Sequence, residues 1–154
     1  MQSDSLRLHY LLHSADLIED RLHHQLAPLG IKPRQARILD ALARMSRASQ
    51  VELARAFDVS PASMSTMTAR LVAAGFITRE VDRHDIRSNT LRLSKKGSDL
   101  LDQIRAAWRA IDDVIENAIG PEKARELAEI TLELRDALGG KTPGSASEQP
   151  PDDV

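Results

Sequence analysis

Three groups of side chains have types and spacing that could do chemistry. The first is Ser60-Pro61-Ala62-Ser63, with Ser65, Thr66 and Arg70 following. Serine caps a helix well, and proline tolerates the first helical position because its missing N–H has no partner there. The amides and dipole at such a helix start suit a phosphate, and the hydroxyls can donate or accept. The second group is the polar run Asp82-Arg83-His84-Asp85-Ile86-Arg87-Ser88-Asn89, whose arginines can engage an anion. The third is His9 and His13, four residues apart on one helix face and a usable metal-ligand pair. No third ligand accompanies them, so no metal and no cofactor are expected. Asp112-Asp113 and Asp152-Asp153 are adjacent carboxylates, but neither pair resembles a catalytic dyad. With no Gly-rich phosphate loop, nucleophile elbow or HExxH, no enzyme activity is expected.

The elements around these groups follow from periodicity. From Ser5 to about Ala27, Leu8, Leu11, Leu12, Ala15, Ile18, Leu22 and Leu26 recur at helical spacing, and Pro28 and Gly30 close the segment. A second helix starts at Pro33, buries Ile38, Leu39 and Leu42, and ends near Met45. Ser49-Gln50-Val51-Glu52 fits a capping box, opening a short helix through Phe57. The helix from Ser60 turns Met64, Met67, Leu71 and Ala74 inward and Ala62, Ser65, Thr66 and Ala69 outward, and Gly75 stops it. Two short helices across a tight turn read as helix-turn-helix. The period then changes to that of strands, over Phe76–Val81 and Thr90–Leu93, so the charged run between them is the tip of a wing. Ser94 caps a long helix whose Leu101, Ile104, Trp108, Ile111, Ile115 and Ala118 form a seam that needs a partner helix. Gly120-Pro121 restarts the chain as a last helix carrying Leu127, Thr131, Leu134 and Leu138. Residues 139–154 hold almost nothing apolar and are expected to be a disordered tail.

The chain has 154 residues and no cysteine, which excludes disulfides and thiolate sites. It is long enough for one domain with a core of its own. Only 3% of it is aromatic, so the core is aliphatic and base-stacking platforms are not expected. The net charge of −2 hides an asymmetry. Pro33 to Lys96 holds twelve basic and six acidic residues, net +6, and the remainder is net −8. The basic middle suits an anionic partner, and Arg34, Arg37, Arg55, Arg70 and Lys95 are candidate phosphate contacts. No apolar run is long enough for a membrane span and no signal peptide is visible, so a cytoplasmic protein with no membrane partner is expected.

Several stretches, in this order and spacing, resemble the MarR family of winged-helix regulators. They are Gln35–Leu39, Val51–Ala54, Val59–Ser65, Leu71–Arg79, Asp85-Ile86-Arg87 and Leu93–Gly97. The resemblance runs over roughly residues 6–138. It implies a mainly α fold, an α+β winged helix, as a single domain over 1–138. Helices 5–28 and 95–138 would make a dimerisation lobe, and 33–96 the DNA-binding lobe. It further implies a homodimeric transcriptional regulator, usually a repressor of a palindromic double-stranded DNA operator, relieved by a small-molecule effector. On it, Ser60, Pro61, Ala62, Ser63, Ser65, Thr66 and Arg70 meet DNA from the recognition helix. Arg83 and Arg87 would meet it from the wing, with Asp85 orienting Arg87. His9, Tyr10 and His13 would line the effector pocket. The sequence departs from the family's pattern at Lys32, often a threonine cap, and at Ile86, often polar or basic. The cysteine of the peroxide-sensing branch is absent. A helical dimer that uses this fold to bind protein rather than DNA is the alternative.

Overall fold

The computed structural model describes residues 6–81 and 89–143. Helix α1 spans Arg7–Leu26 and passes into a 3-10 turn, Ala27–Leu29, closed by Gly30 in the left-handed region. Helix α2, Pro33–Met45, begins at the expected proline. Its cap residue Lys32 has no side-chain acceptor to offer. The Gln35 side chain reaches back instead, its Oε1 accepting the Lys32 N–H at 2.9 Å. Helix α3, Gln50–Ala56, has the full capping box: Ser49 Oγ accepts from Glu52 N, and Glu52 accepts from Ser49 N.

Helix α4, Pro61–Ala73, follows a turn in which Asp58 sits at φ 52°. The turn closes by Asp58 N–H to Arg55 O and Val59 N–H to Ala54 O, a Schellman arrangement with aspartate where glycine is usual. Gly75, at φ 81°, ends α4 with the same pattern. Strands β2 (Ile77–Val81) and β3 (Asn89–Leu93) form the expected antiparallel hairpin. A two-residue strand, β1 (Ala48–Ser49), adds to the outer side of β3, so the sheet order is β1-β3-β2. This strand carries no readable period because two residues define none. Helix α5 spans Lys95–Ile119 and α6 spans Pro121–Ala137. The fold is therefore mainly helical with a small three-stranded sheet.

The core joins the end of α1, α2, α3, α4 and the sheet to the first half of α5, through residues such as Leu26, Leu39, Leu53, Leu71, Leu91 and Ile104. Several expected burials differ. In α4 Thr68 is fully buried beside the expected Met64 and Leu71, whereas Met67 is half-buried and Ala74 exposed. In α5 the buried face is Leu100, Leu101, Ile104, Ala107 and Ile111; Trp108 is half-buried, Ile115 likewise, and Ala118 exposed. Helix α6 buries nothing, and α1 buries only Leu26. These two helices need cover that a single chain does not supply.

The tail does not leave the body at Gly139. Gly139 takes φ 80° and turns the chain back, Gly140 N–H bonds Arg135 O, and Arg135 Nη1 donates to Thr142 Oγ1 at 2.9 Å. Pro143 is buried. Residues 144–154 lie outside the described residues.

Candidate nucleic-acid interface

Helix α4 turns Met64, Thr68 and Leu71 into the core. The opposite face is therefore fixed: Ala62, Ser63, Ser65, Thr66, Ala69 and Arg70 are all exposed. Small side chains on that face let the backbone approach another surface closely. Thr66 donates its hydroxyl to Ala62 O at 3.2 Å, and the Ser65 hydroxyl forms no hydrogen bond among the described residues. Ser60 and Pro61, also exposed, start the helix as expected.

The helix start offers fewer amides than expected. Pro61 has none, Ser63 N–H is taken by Ser60 Oγ at 3.1 Å, and Met64 N–H by Ser60 O at 3.0 Å. The Ser60 and Ala62 amides remain without a partner among the described residues. A cap and a phosphate compete for the same donors, and here the cap takes the Ser63 amide.

The five cation candidates separate by their surroundings. Arg34, Arg55 and Arg70 are exposed and form no ion pair among the described residues. Lys95 is held by Asp99 at 2.8 Å. That hydrogen bond, with the attraction of the Asp99 charge, raises the Lys95 pKa above the ordinary lysine value. Arg37 has its guanidinium 5.6 Å from the Phe57 ring centre. The wing-tip residues Arg83, His84, Asp85 and Arg87 lie outside the described residues.

Two features hold the recognition helix to the rest of the chain. At its C-terminal end, Ser94 Oγ donates to Gly75 O and Lys96 Nζ donates to Ala74 O at 2.9 Å. Lys96 also sits 4.7 Å over the Phe76 ring. Gly97 lies so close that a Cβ there would stand 2.1 Å from Phe76 O. At its middle, Thr68 Oγ1 accepts from Gln50 Nε2 at 2.9 Å and donates back to Met64 O at 2.9 Å.

His9, Tyr10 and His13 stand exposed on α1, and His9 and His13 gather no third metal ligand among the described residues. The junction between the helical lobe and the helix-turn-helix instead holds a cavity of about 310 Å³. Leu22, Arg37, Asp40, Arg44, Trp108 and Arg135 line it. Asp40 anchors its floor. It accepts from Arg105 Nε and Nη2 at 3.3 and 3.2 Å, and pairs with Arg44 at 3.1 Å. Asp40, Arg44, Arg105 and Arg135 escaped the sequence reading because α2, α5 and α6 meet there, and no one-dimensional spacing links them.

No helix among the described residues is long and apolar enough to cross a membrane. No curated protein sequence matches the chain. Residues 29–88 match the sequence model of the MarR family. A crystal structure of MarR shares 20% identity, covering 90% of this chain and 95% of its own, with a TM-score of 0.77. A mutant MarR from E. coli, complexed with operator DNA, shares 23% over 86% of this chain and 94% of its own, with a TM-score of 0.72. MepR from S. aureus, in a DNA complex, shares 15% over 87% of this chain and 99% of its own, with a TM-score of 0.75. Residues 29–88, which carry the helix-turn-helix, thus resemble the MarR family in sequence, and the chain shares the winged-helix fold of the MarR structures.

Proposed function

We propose that this chain is a DNA-binding transcriptional regulator that acts as a homodimer. It represses from a palindromic operator, and a small-molecule effector relieves that repression. The observation that carries the reading is the outward face of α4. It has only small side chains at Ala62, Ser63, Ser65, Thr66 and Ala69, with the unpaired Arg70 beside them. A major groove admits a helix, and small residues let it sit deep. Ser60 and Pro61 set the helix start, and Arg34 and Arg55 supply charge for the backbone. The net +6 of the middle segment supports an anionic partner. Regulators of the MarR family are non-enzymatic DNA-binding proteins, which fits the absence of a catalytic motif in the sequence.

The exposed apolar residues of α1 and α6 support the homodimer. Leu8, Leu11 and Leu12 on one and Ile130, Leu132 and Leu134 on the other have no cover in a single chain. Two recognition helices must then lie about 34–36 Å apart to enter successive major grooves. The Trp108 cavity between the lobes supports the effector, because a ligand there touches both lobes. His9, Tyr10 and His13 join the site only if a partner's helices bring them to it. An effector works only by binding the two spacings unequally.

From the wing, Arg83 and Arg87 reach the minor groove, and Asp85 holds Arg87. Arg87→Ala is expected to lose roughly 1–3 kcal/mol of operator affinity without changing the melting temperature. Asp85→Ala copies part of the loss, and the double variant loses less than the sum. Footprinting on DNA upstream of the chain's own gene, followed by titration at several salt concentrations, tests the whole reading. A protected palindrome with a steep salt slope supports it. Binding of a protein partner by a chain that ignores DNA at low salt overturns it.

A further inference from the structure

The buried polar position in α4 is unusual for its economy. Thr68 is fully buried and is the one buried polar side chain among the described residues. A hydroxyl has one proton, and Thr68 gives it to Met64 O at 2.9 Å, with Ser65 O at 3.2 Å as the lesser partner. Its lone pair is left to accept, which is what Gln50 Nε2 meets at 2.9 Å. Valine would fill the same volume with no polar group to satisfy, and a back-bonding hydroxyl inside a helix favours stability little. The hydroxyl is therefore poorly explained by folding stability alone.

Its partner explains it better. Gln50 is the first residue of α3, directly after β1, where Ser49 pairs with Thr90 and Ala48 with Leu91 of β3. Ser49 also caps α3 through Glu52. Gln50 thus directly follows the wing sheet's β1 in the chain and hydrogen-bonds the middle of α4. Hydrophobic packing between α3 and α4 allows small rotations, whereas a hydrogen bond with both roles assigned fixes one. Rotation of α4 by part of a turn would change which of Ser65, Thr66 and Ala69 meets a partner surface.

We propose that Gln50 and Thr68 are a positioning pair that sets the rotation of the recognition helix against the wing sheet, and so determines discrimination between DNA sequences. The inference rests on the DNA-binding reading above. Neither side chain touches DNA; both act through the small residues on the outward face of α4.

The test takes the duplex that the wild-type chain recovers best from a randomised library, and a scrambled duplex of equal length and composition. Affinities for both are measured by fluorescence anisotropy at one salt concentration, beside thermal melts. Thr68→Val is expected to keep or raise the melting temperature while the preference for the recovered duplex falls roughly fivefold. Affinity for the scrambled duplex stays the same, because charge sets it. Thr68→Ser, which keeps the hydroxyl, restores the preference. Gln50→Met, at the half-buried end, gives the same loss, and the double variant loses no more than either single one. If Thr68→Val fails to fold, Gln50→Met carries the test alone. Unchanged preference in folded Gln50→Met or Thr68→Val overturns the inference and leaves the DNA-binding reading standing. A wild-type chain that binds neither duplex overturns both.

Discussion

Asp58 holds the turn of the helix-turn-helix at φ 52°, a region that side chains tolerate at a cost. Aspartate is among the residues that tolerate it best, yet glycine carries no such penalty. Asp58→Gly is expected to raise stability by about 0.5–1 kcal/mol, read as a higher melting temperature, since both turn hydrogen bonds are backbone ones. Asp40 makes the opposite case. It joins Arg44 of its own helix to Arg105 of α5, and its side chain is only 15% exposed. Asp40→Ala leaves two guanidiniums facing one another and is expected to cost roughly 1–2 kcal/mol, less at high salt, by denaturant titration. The caps at Ser49, Ser60, Ser94 and Gly75 were legible in the sequence because each is a local rule about neighbouring residues. Thr68 was not. The expected inward stripe ran through Met64, Met67 and Leu71, and the hydrogen bond from Gln50, 18 positions away, follows from no local rule. Asp40 was hidden because its partner Arg105 stands 65 positions further along the chain.

Helix α4 and helix α5 are joined more tightly than a loop would join them. Lys96 caps the end of α4, and Gly97 brings the first turn of α5 against the Phe76 carbonyl. Gly97→Ala places a methyl carbon 2.1 Å from that backbone oxygen, which cannot rotate aside. The expected cost is about 3 kcal/mol or more, measured by chemical denaturation, and operator binding should weaken with it. Element boundaries were largely readable, because α2 begins at a proline and α4 and α5 begin directly after capping serines. Strand β1 was unreadable, and so was which face of α5 is covered by its own chain. The period shows an apolar stripe but not what lies across it, so Trp108 stood on the expected seam yet is only half-buried here.

Across the whole molecule the apolar surface is unevenly distributed. The helix-turn-helix has a filled core, whereas α6 buries nothing and α1 almost nothing. An intertwined dimer would cover both helices at once, and the chain's stability would then depend on its concentration. Leu134→Asp, on the exposed face of α6, is expected to shift sedimentation from dimer to monomer and lower the melting temperature. Truncation has two outcomes by position. Ending the chain after Pro143 should leave stability unchanged, whereas ending it after Leu138 removes the Thr142 contact and the buried Pro143, and melts earlier.

The junction between α4 and α5 has a mechanical consequence. Twenty-five residues make α5 a rod about 37 Å long. Its near end is fastened to the recognition helix by Ser94, Lys96 and Gly97, and its far end lies among the uncovered helices. In the proposed dimer, such a rod would act as a lever with its fulcrum where the helices of the two chains meet. A tilt of about 5° there carries the near end by ~3 Å, and two levers moving apart change the separation of their tips by ~6 Å. DNA repeats its major groove at a fixed interval, so that small angle is enough to move one tip off its groove while the other stays seated. The glycine at the joint gives the lever no slack, and the angle set at one end is the displacement delivered at the other.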